Sequence, residues 1–332
     1  MSVRDELSVL HLTTSEEVFF DQQIESLRER GVNCTVLVVP GQEQIDGNMG
    51  NQRGPSEYIR FLFQVRSELK QGDYDIVHAN YGLTAPHAVM LSDIPVVLTL
   101  WGSDVVGLDG AITKLFAWRC DAVTVRSEEM KGLLGHSDAY ILPSGIDMDK
   151  FYPIDRDEAR EEAGWDQEGY HVLFPYSPEY ERKRFPLAES IVEAASERLG
   201  QEITLHSLSG VPHEKMVYYM NAADALLLTS RHEGSPNTVK EALACNIPVV
   251  STNVGDVEER LVDVFPSAVG SNEEELVEGL IEVIRDGGRS NGRETVREIS
   301  WENIGARIMN IYKDVLSQHG ISIAERPSPK ES

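Results

Sequence analysis

Short apolar runs punctuate the whole chain: 8–13 (SVLHLT), 34–39 (CTVLVV), 75–78 (DIVH), 95–100 (PVVLTL), 122–125 (AVTV), 140–142 (YIL), 172–174 (VLF), 203–205 (ITL), 225–228 (ALLL) and 247–250 (IPVV). Most are continuously apolar and do not alternate, the mark of strands covered on both faces in a parallel sheet. Helix-like segments separate them, which predicts right-handed βαβ units. Ten strands exceed what one doubly wound sheet usually holds, so two α/β domains are expected. The boundary is expected in 143–153 (PSGIDMDKFYP), rich in turn formers. Beyond it, 155–164 has the cap and charge pattern of a connecting helix. In the last long helix, Ile304, Ile308, Ile311, Tyr312 and Leu316 fall on one stripe. The expected organisation is a domain over 1–150, a second over 151–300, a helix over 301–318 and a flexible tail over 319–332.

Composition narrows the class. With 55 acidic and 30 basic residues the net charge is -25, which argues against nucleic acid or an anionic membrane as an electrostatic partner. Lysine is scarce, 9 against 21 arginines. An acidic, lysine-poor chain of this kind looks like a protein of a salt-in halophile, the alternative being an ordinary acidic enzyme. Salt screens the self-repulsion of such a surface, so stability is expected to rise with KCl. Cys34, Cys120 and Cys245 lie far apart in apolar or helical contexts and read as buried thiols of a reducing compartment. The charged start, leading directly into a strand, predicts no signal peptide, and no apolar run reaches the roughly 20 residues of a membrane helix. A cytoplasmic location is expected. The segment 58–69 (YIRFLFQVRSEL) could rest on a membrane surface, but a helix packing on the first sheet would look the same and is preferred.

The segment 231–245 (RHEGSPNTVKEALAC) carries the chemistry. It runs from the end of a strand through a turn into a helix, with Glu233 and Glu241 separated by seven residues. Ser235 is expected as the N-cap and Pro236 as the first helical residue, followed by a helix over 237–244. Its free N–H groups and dipole would attract phosphate. Glu233 lies outside the helix and can reach a polar group near that phosphate; Glu241, almost two turns in, can accept from hydroxyls such as a ribose diol. Two glutamates at this spacing are a weak signal in so acidic a chain. The whole string, continued by 246–257 (NIPVVSTNVGDV), closely resembles the signature of family 4 retaining glycosyltransferases, the glutamate-x7-glutamate enzymes of the GT-B fold.

That resemblance implies two Rossmann-like doubly wound domains facing each other over a cleft, with the C-terminal helix crossing back to the N-terminal domain. It also implies transfer of a sugar from a nucleoside diphosphate, UDP or GDP, to a glycan or lipid-linked acceptor with retention at the anomeric carbon. Glu233 would position the donor sugar, Glu241 the ribose, and Ser235, Asn237 and Thr238 the diphosphate. Residues 183–188 (KRFPLA) resemble the family's donor-phosphate segment, so Lys183, with Arg182 for an arginine that lacks a clear match, would stabilise the departing phosphate. His78, Asn80, Trp101 and Asp104 end strands of the first domain and resemble the acceptor side. Trp101 stands where the family commonly has histidine, and 13–17 (TTSEE) stands where it has a glycine pair. Both departures point to altered or weakened activity. A degenerate partner subunit, or a phosphorylase or epimerase of the same architecture, are the alternatives. Asp147 and Asp149, Asp155 and Asp157, and Asp73 and Asp75 each spell aspartate-x-aspartate. Chance matches are expected in so acidic a chain, and neither a metal nor any other cofactor is assigned. Oligomeric state is not readable.

Overall fold

The computed structural model describes residues 2–4, 6–15, 18–41 and 53–323. The chain divides into two compact units, 1–143 with 302–332, and 144–301. In the first, six parallel strands lie in the order β3-β2-β4-β5-β6-β7: β2 is Leu7–Thr13, β3 Val32–Val38, β4 Ile76–Ala79, β5 Val96–Thr99, β6 Ala122–Val125 and β7 Tyr140–Ile141. In the second, five parallel strands lie in the order β12-β11-β10-β8-β9: β8 is Tyr170–Phe174, β9 Ile203–Ser207, β10 Ala225–Leu228, β11 Val249–Thr252 and β12 Ala268–Gly270. The central strands β4, β5, β6, β10 and β11 are buried at every position, which is why their sequences run apolar without alternation.

Local chemistry sets the helices that carry the sheets. In Arg156–Ala163, Asp155 caps the first turn by accepting from the amides of Asp157 and Glu158, and Gly164 ends the helix in the left-handed conformation. Phe61 and Val65 on Pro55–Gln71 pack into the core of the first unit with Leu98 and Leu100, so this segment is a packed helix; its Arg60 and Arg66 are exposed. The helix Trp301–Gln318 belongs to the first unit from Glu302 onward, and Tyr312 and Leu316 on its inner stripe are fully buried there.

One expectation needs correction. Within the tail expected to be flexible, Ile321–Ile323 form strand β13, which pairs in parallel with β1, Ser2–Arg4. Three residues alternating around one serine are too few to register as a strand until a partner from the other end of the chain supplies the hydrogen bonds. Residues 324–332 lie outside the described residues. Of the cysteines, Cys34 and Cys245 are buried and Cys120 is half-buried, all free thiols.

Burial in the first unit has a consequence for acid stability. His11 is fully buried and burial pulls its pKa to about 3; His78, equally enclosed, is pushed well below the usual histidine value, again chiefly by burial. Below pH 6.5 the unfolded chain takes up protons that the folded unit refuses, so stability falls with pH, by about 1.4 kcal/mol per unit for each such histidine. The urea midpoint should therefore drop between pH 7.5 and pH 5.5, and less steeply in His11→Gln than in the parent chain. Equal slopes would remove this account.

Candidate functional site

The carboxyl end of β10 opens into the turn that carries Glu233, and the helix Asn237–Ala244 follows. Lys183, on the turn Glu181–Lys183 after β8, reaches this turn: its Nζ donates to Glu233 Oε1 at 2.6 Å. Both side chains are almost buried, at 9% and 12% exposure, so their attraction is little screened. The ammonium also lies 3.5 Å from the ring centroid of Tyr176. Burial pulls the Lys183 pKa below the ordinary lysine value, against the opposing pull of Glu233. Tyr176 in turn shares a 2.6 Å hydrogen bond with Thr238 Oγ1, and burial raises its phenol far above the usual range. Lys183, Glu233, Tyr176 and Thr238 thus form one connected group at the head of the helix.

Glu241, buried just over one turn along the same helix, is held by a second group. Lys150 Nζ donates to His213 Nδ1 at 2.8 Å, leaving Nε2 as the protonated ring nitrogen, and it donates to Glu241 Oε1 at 3.0 Å. Glu241 Oε2 has no hydrogen-bond partner among the described residues, so this carboxylate is oriented by one oxygen and can accept through the other. Asn237 Oδ1 accepts from the fully buried Lys240 Nζ, which also donates to the carbonyls of Ser235 and Ser144. Arg182 is exposed, its carbonyl accepting from Arg231 N.

The cap differs from expectation. The helix begins at Asn237 with Pro236 in the cap position and no capping side chain. Ser235 does not cap; its hydroxyl donates to Asp256 Oδ2 at 2.7 Å, a charge-assisted bond that outcompetes a backbone amide. No intrahelical side chain thus covers the first amides of this helix. The position of the turn depends on Gly255: its φ is +58°, and a Cβ there would lie 2.6 Å from the Gly234 carbonyl oxygen. Gly255→Ala is therefore expected to displace the Glu233 turn, lowering Tm by several degrees, on the order of 1–3 kcal/mol. A calorimetric Tm equal to that of the parent chain would contradict this.

The four residues expected to face an acceptor sit differently. His78 is turned inward, with Nδ1 2.6 Å from the Tyr312 hydroxyl and Nε2 2.7 Å from Thr99 Oγ1, so both ring nitrogens are engaged. Asn80 is buried too, donating to the His78 carbonyl and accepting from Gln23 Nε2. Asp104, fully buried, accepts from the amides of Trp101, Gly102 and Gly82, and burial still raises its pKa. It ties the loop after β5. Trp101 alone is part-exposed: its Nε1 donates to the Asn80 carbonyl and its ring lies 3.7 Å from the guanidinium carbon of Arg126. These placements share a cause: polar residues at strand ends of a tightly packed unit are enclosed, and enclosed polar groups find internal partners. The aspartate pairs likewise serve the backbone: Asp147 accepts from the amides of Asp149 and Lys150, Asp155 caps its helix and Asp75 accepts from Ser8 N. In the loop 13–17, Thr13 Oγ1 donates to the Ser15 carbonyl, and Glu16 and Glu17 lie outside the described residues.

Sequence reasoning missed His213, Lys150 and Asp256. His213 follows β9 by six residues, and its place beyond the carboxyl end of a parallel strand was the available signal.

Comparison with known proteins agrees with this architecture. Residues 17–150 match the model described as Glycosyltransferase Family 4, and residues 189–300 the model described as Glycosyl transferases group 1. The putative teichuronic acid biosynthesis glycosyltransferase TuaC of Bacillus subtilis is 29% identical over 240 residues, 63% of this chain and 61% of that protein. O-antigen chain mannosyltransferase B of Escherichia coli is 26% identical over 145 residues, 40% of this chain and 38% of its own. The chain thus spans less than two thirds of the length of these relatives. Among solved structures, sucrose-phosphate synthase of Thermosynechococcus elongatus superposes with a TM-score of 0.74 at 16% identity, covering 94% of this chain and all of that one. HepE of Anabaena in complex with UDP gives 0.69 at 14% identity, with coverage of 94% and 100%. With two parallel-sheet units in this order the chain has the GT-B fold, and its two halves match in turn the two glycosyltransferase family models.

Proposed function

We propose that this chain transfers a sugar from a nucleoside diphosphate, UDP or GDP, to the hydroxyl of a glycan or lipid-linked acceptor, with retention of anomeric configuration. The observation that carries the reading is the Lys183–Glu233 pair at the uncapped amino end of the Asn237–Ala244 helix, with Glu241 held by His213 behind it. Free amides and the helix dipole at that end favour a diphosphate. Lys183 stabilises the negative charge that develops on the leaving group as the bond to the sugar breaks. Once it turns to phosphate, the Glu233 carboxylate is released to accept from a sugar hydroxyl. Glu241 accepts from the ribose diol through Oε2, its orientation fixed beforehand by His213. Asn237 and Thr238 add polar contacts, and Arg182 is an exposed cation beside them. Ser235, bound to Asp256, acts by holding the turn.

The relatives' names point to envelope polysaccharides, and an acceptor of that class is part of this proposal. The test is a panel of UDP- and GDP-sugars in KCl with polyprenyl and glycan acceptors, reading released nucleotide and, by NMR, the anomeric configuration of the product. Turnover with inversion would refute the stereochemical part. The inward-facing His78, Asn80 and Asp104 favour a second reading, a nucleotide-binding subunit without turnover of its own. Binding of UDP or GDP with no released nucleotide under any acceptor would select it.

We further propose that the acidic, lysine-poor composition is an adaptation to salt. Tm is expected to rise by roughly 10 °C or more between 0.1 M and 2 M KCl as screening relieves self-repulsion. A Tm that does not change would leave the composition unexplained by salt.

A further inference from the structure

Beside the Lys183–Glu233 pair, the same two segments of chain present a different face. Residues 184 and 230–232 line a cavity of about 540 Å³ at the carboxyl ends of β10, β11 and β12, with Asn253 and Ser271 also in its wall. One residue in six of the whole chain is acidic, 55 of 332, yet none of the lining residues is. Two arginines and a histidine line it instead.

The state of these groups points to a ligand. Arg184 adopts φ 54°, a left-handed conformation that glycine would fill without strain, yet the position carries a long cation. That cation is fixed: Arg184 Nε donates to the Thr229 carbonyl at 2.6 Å, and Thr229 Oγ1 returns bonds to the carbonyls of Lys183 and Arg184. Arg231 is exposed and its guanidinium has no hydrogen-bonded or ionic partner among the described residues. It lies close enough that its charge, after burial, is the second cause lowering the Arg184 pKa, so two like charges are held near each other with no counter-charge in the cavity wall. Ser230, fully buried in the wall, keeps its Oγ without a partner. Asn253 donates its amide to Glu258.

Two arginines in one wall with no acidic residue beside them, and a hydroxyl without a partner, suit an anion with several acceptor oxygens. We propose that this cavity binds an anionic substituent, a carboxylate or a phosphate ester, carried by a substrate sugar. None of the residues assigned above to the nucleotide-sugar, Lys183, Glu233, Asn237, Thr238 and Glu241, lines this cavity, although Arg184 and His232 are chain neighbours of two of them. That the anion is carried on a sugar rests on the glycosyltransferase reading; that the cavity takes an anion does not.

The experiment is a calorimetric titration of the full chain at fixed ionic strength with inorganic phosphate, potassium glucuronate, glucose and UDP. Saturable binding is expected for at least one of the two small anions and none for glucose. Arg231→Ala, a side chain whose removal breaks no bond, should weaken that anion at least tenfold, Arg231→Lys less, and both should leave UDP affinity unchanged. Binding of phosphate alone assigns a phosphate ester and of glucuronate alone a uronic acid. Absence of saturable binding by either anion, or binding that Arg231→Ala leaves intact, overturns the proposal. So does a loss of UDP affinity equal to that of the anion, since the cavity would then belong to the nucleotide site. Failure of UDP to bind at all, with the anion still bound, would count against the transferase reading alone.

Discussion

Lys183→Ala is expected to lower turnover about 10²–10³-fold, the usual cost of removing one preorganised donor from a developing negative charge. The chain should still fold, but not without penalty. Removing the ammonium leaves Glu233 nearly buried, at 12% exposure, and without its partner. An uncompensated carboxylate in such a place is destabilising, by a few kcal/mol for a fully buried pair and less here, where water still reaches the group. The double variant Lys183→Ala/Glu233→Ala separates the two effects. It should recover most of the lost Tm and none of the lost activity, because it removes the stranded charge but restores no cation near the phosphate. Turnover measured with a UDP- or GDP-sugar, alongside Tm, decides the matter. If activity and stability fall and recover together, Lys183 is a structural residue and the catalytic assignment goes with it.

The second large effect concerns nucleotide affinity. Glu241→Ala should weaken UDP or GDP binding by about 10–100-fold, the range for losing a hydrogen bond to a charged acceptor. His213→Ala should weaken it less, since it removes the group that orients Glu241 Oε1 and leaves the acceptor itself in place. That graded order is what a purely structural role for Glu241 would not produce. Isothermal titration of the free nucleotide reads it directly, apart from any acceptor. Equal affinities in the parent chain and Glu241→Ala would exclude this carboxylate from the nucleotide site.

The sheets were legible because burial on both faces writes itself as uninterrupted valine, isoleucine and leucine, and the connecting helix Arg156–Ala163 because Asp155 and Gly164 bracket it with local chemistry. Glu233 and Lys183 could be singled out as candidates from sequence, yet their pairing across fifty residues could not, since only the parallel placement of β8 and β10 brings the two strand ends together. The strand pair β1–β13 was hidden for the same reason, at greater separation. His78 and Asp104 illustrate the converse. A polar residue at the end of a strand reads as available until packing is known, and here Tyr312, more than two hundred residues on, occupies one nitrogen of His78. Ser235 was misplaced by one competitor, the Asp256 carboxylate, which no local rule reveals.

The tie between His78 and Tyr312 also bears on how the molecule comes into being. Because the first unit takes its closing helix from beyond residue 301, the half that leaves the ribosome earliest cannot finish its core until the rest has been translated. The second unit, contiguous from 144 to 301, has all its strands in hand before then. Released chains truncated near residue 300 should accordingly resist protease in their later half and remain open to it in their earlier one, an inversion of the order of synthesis.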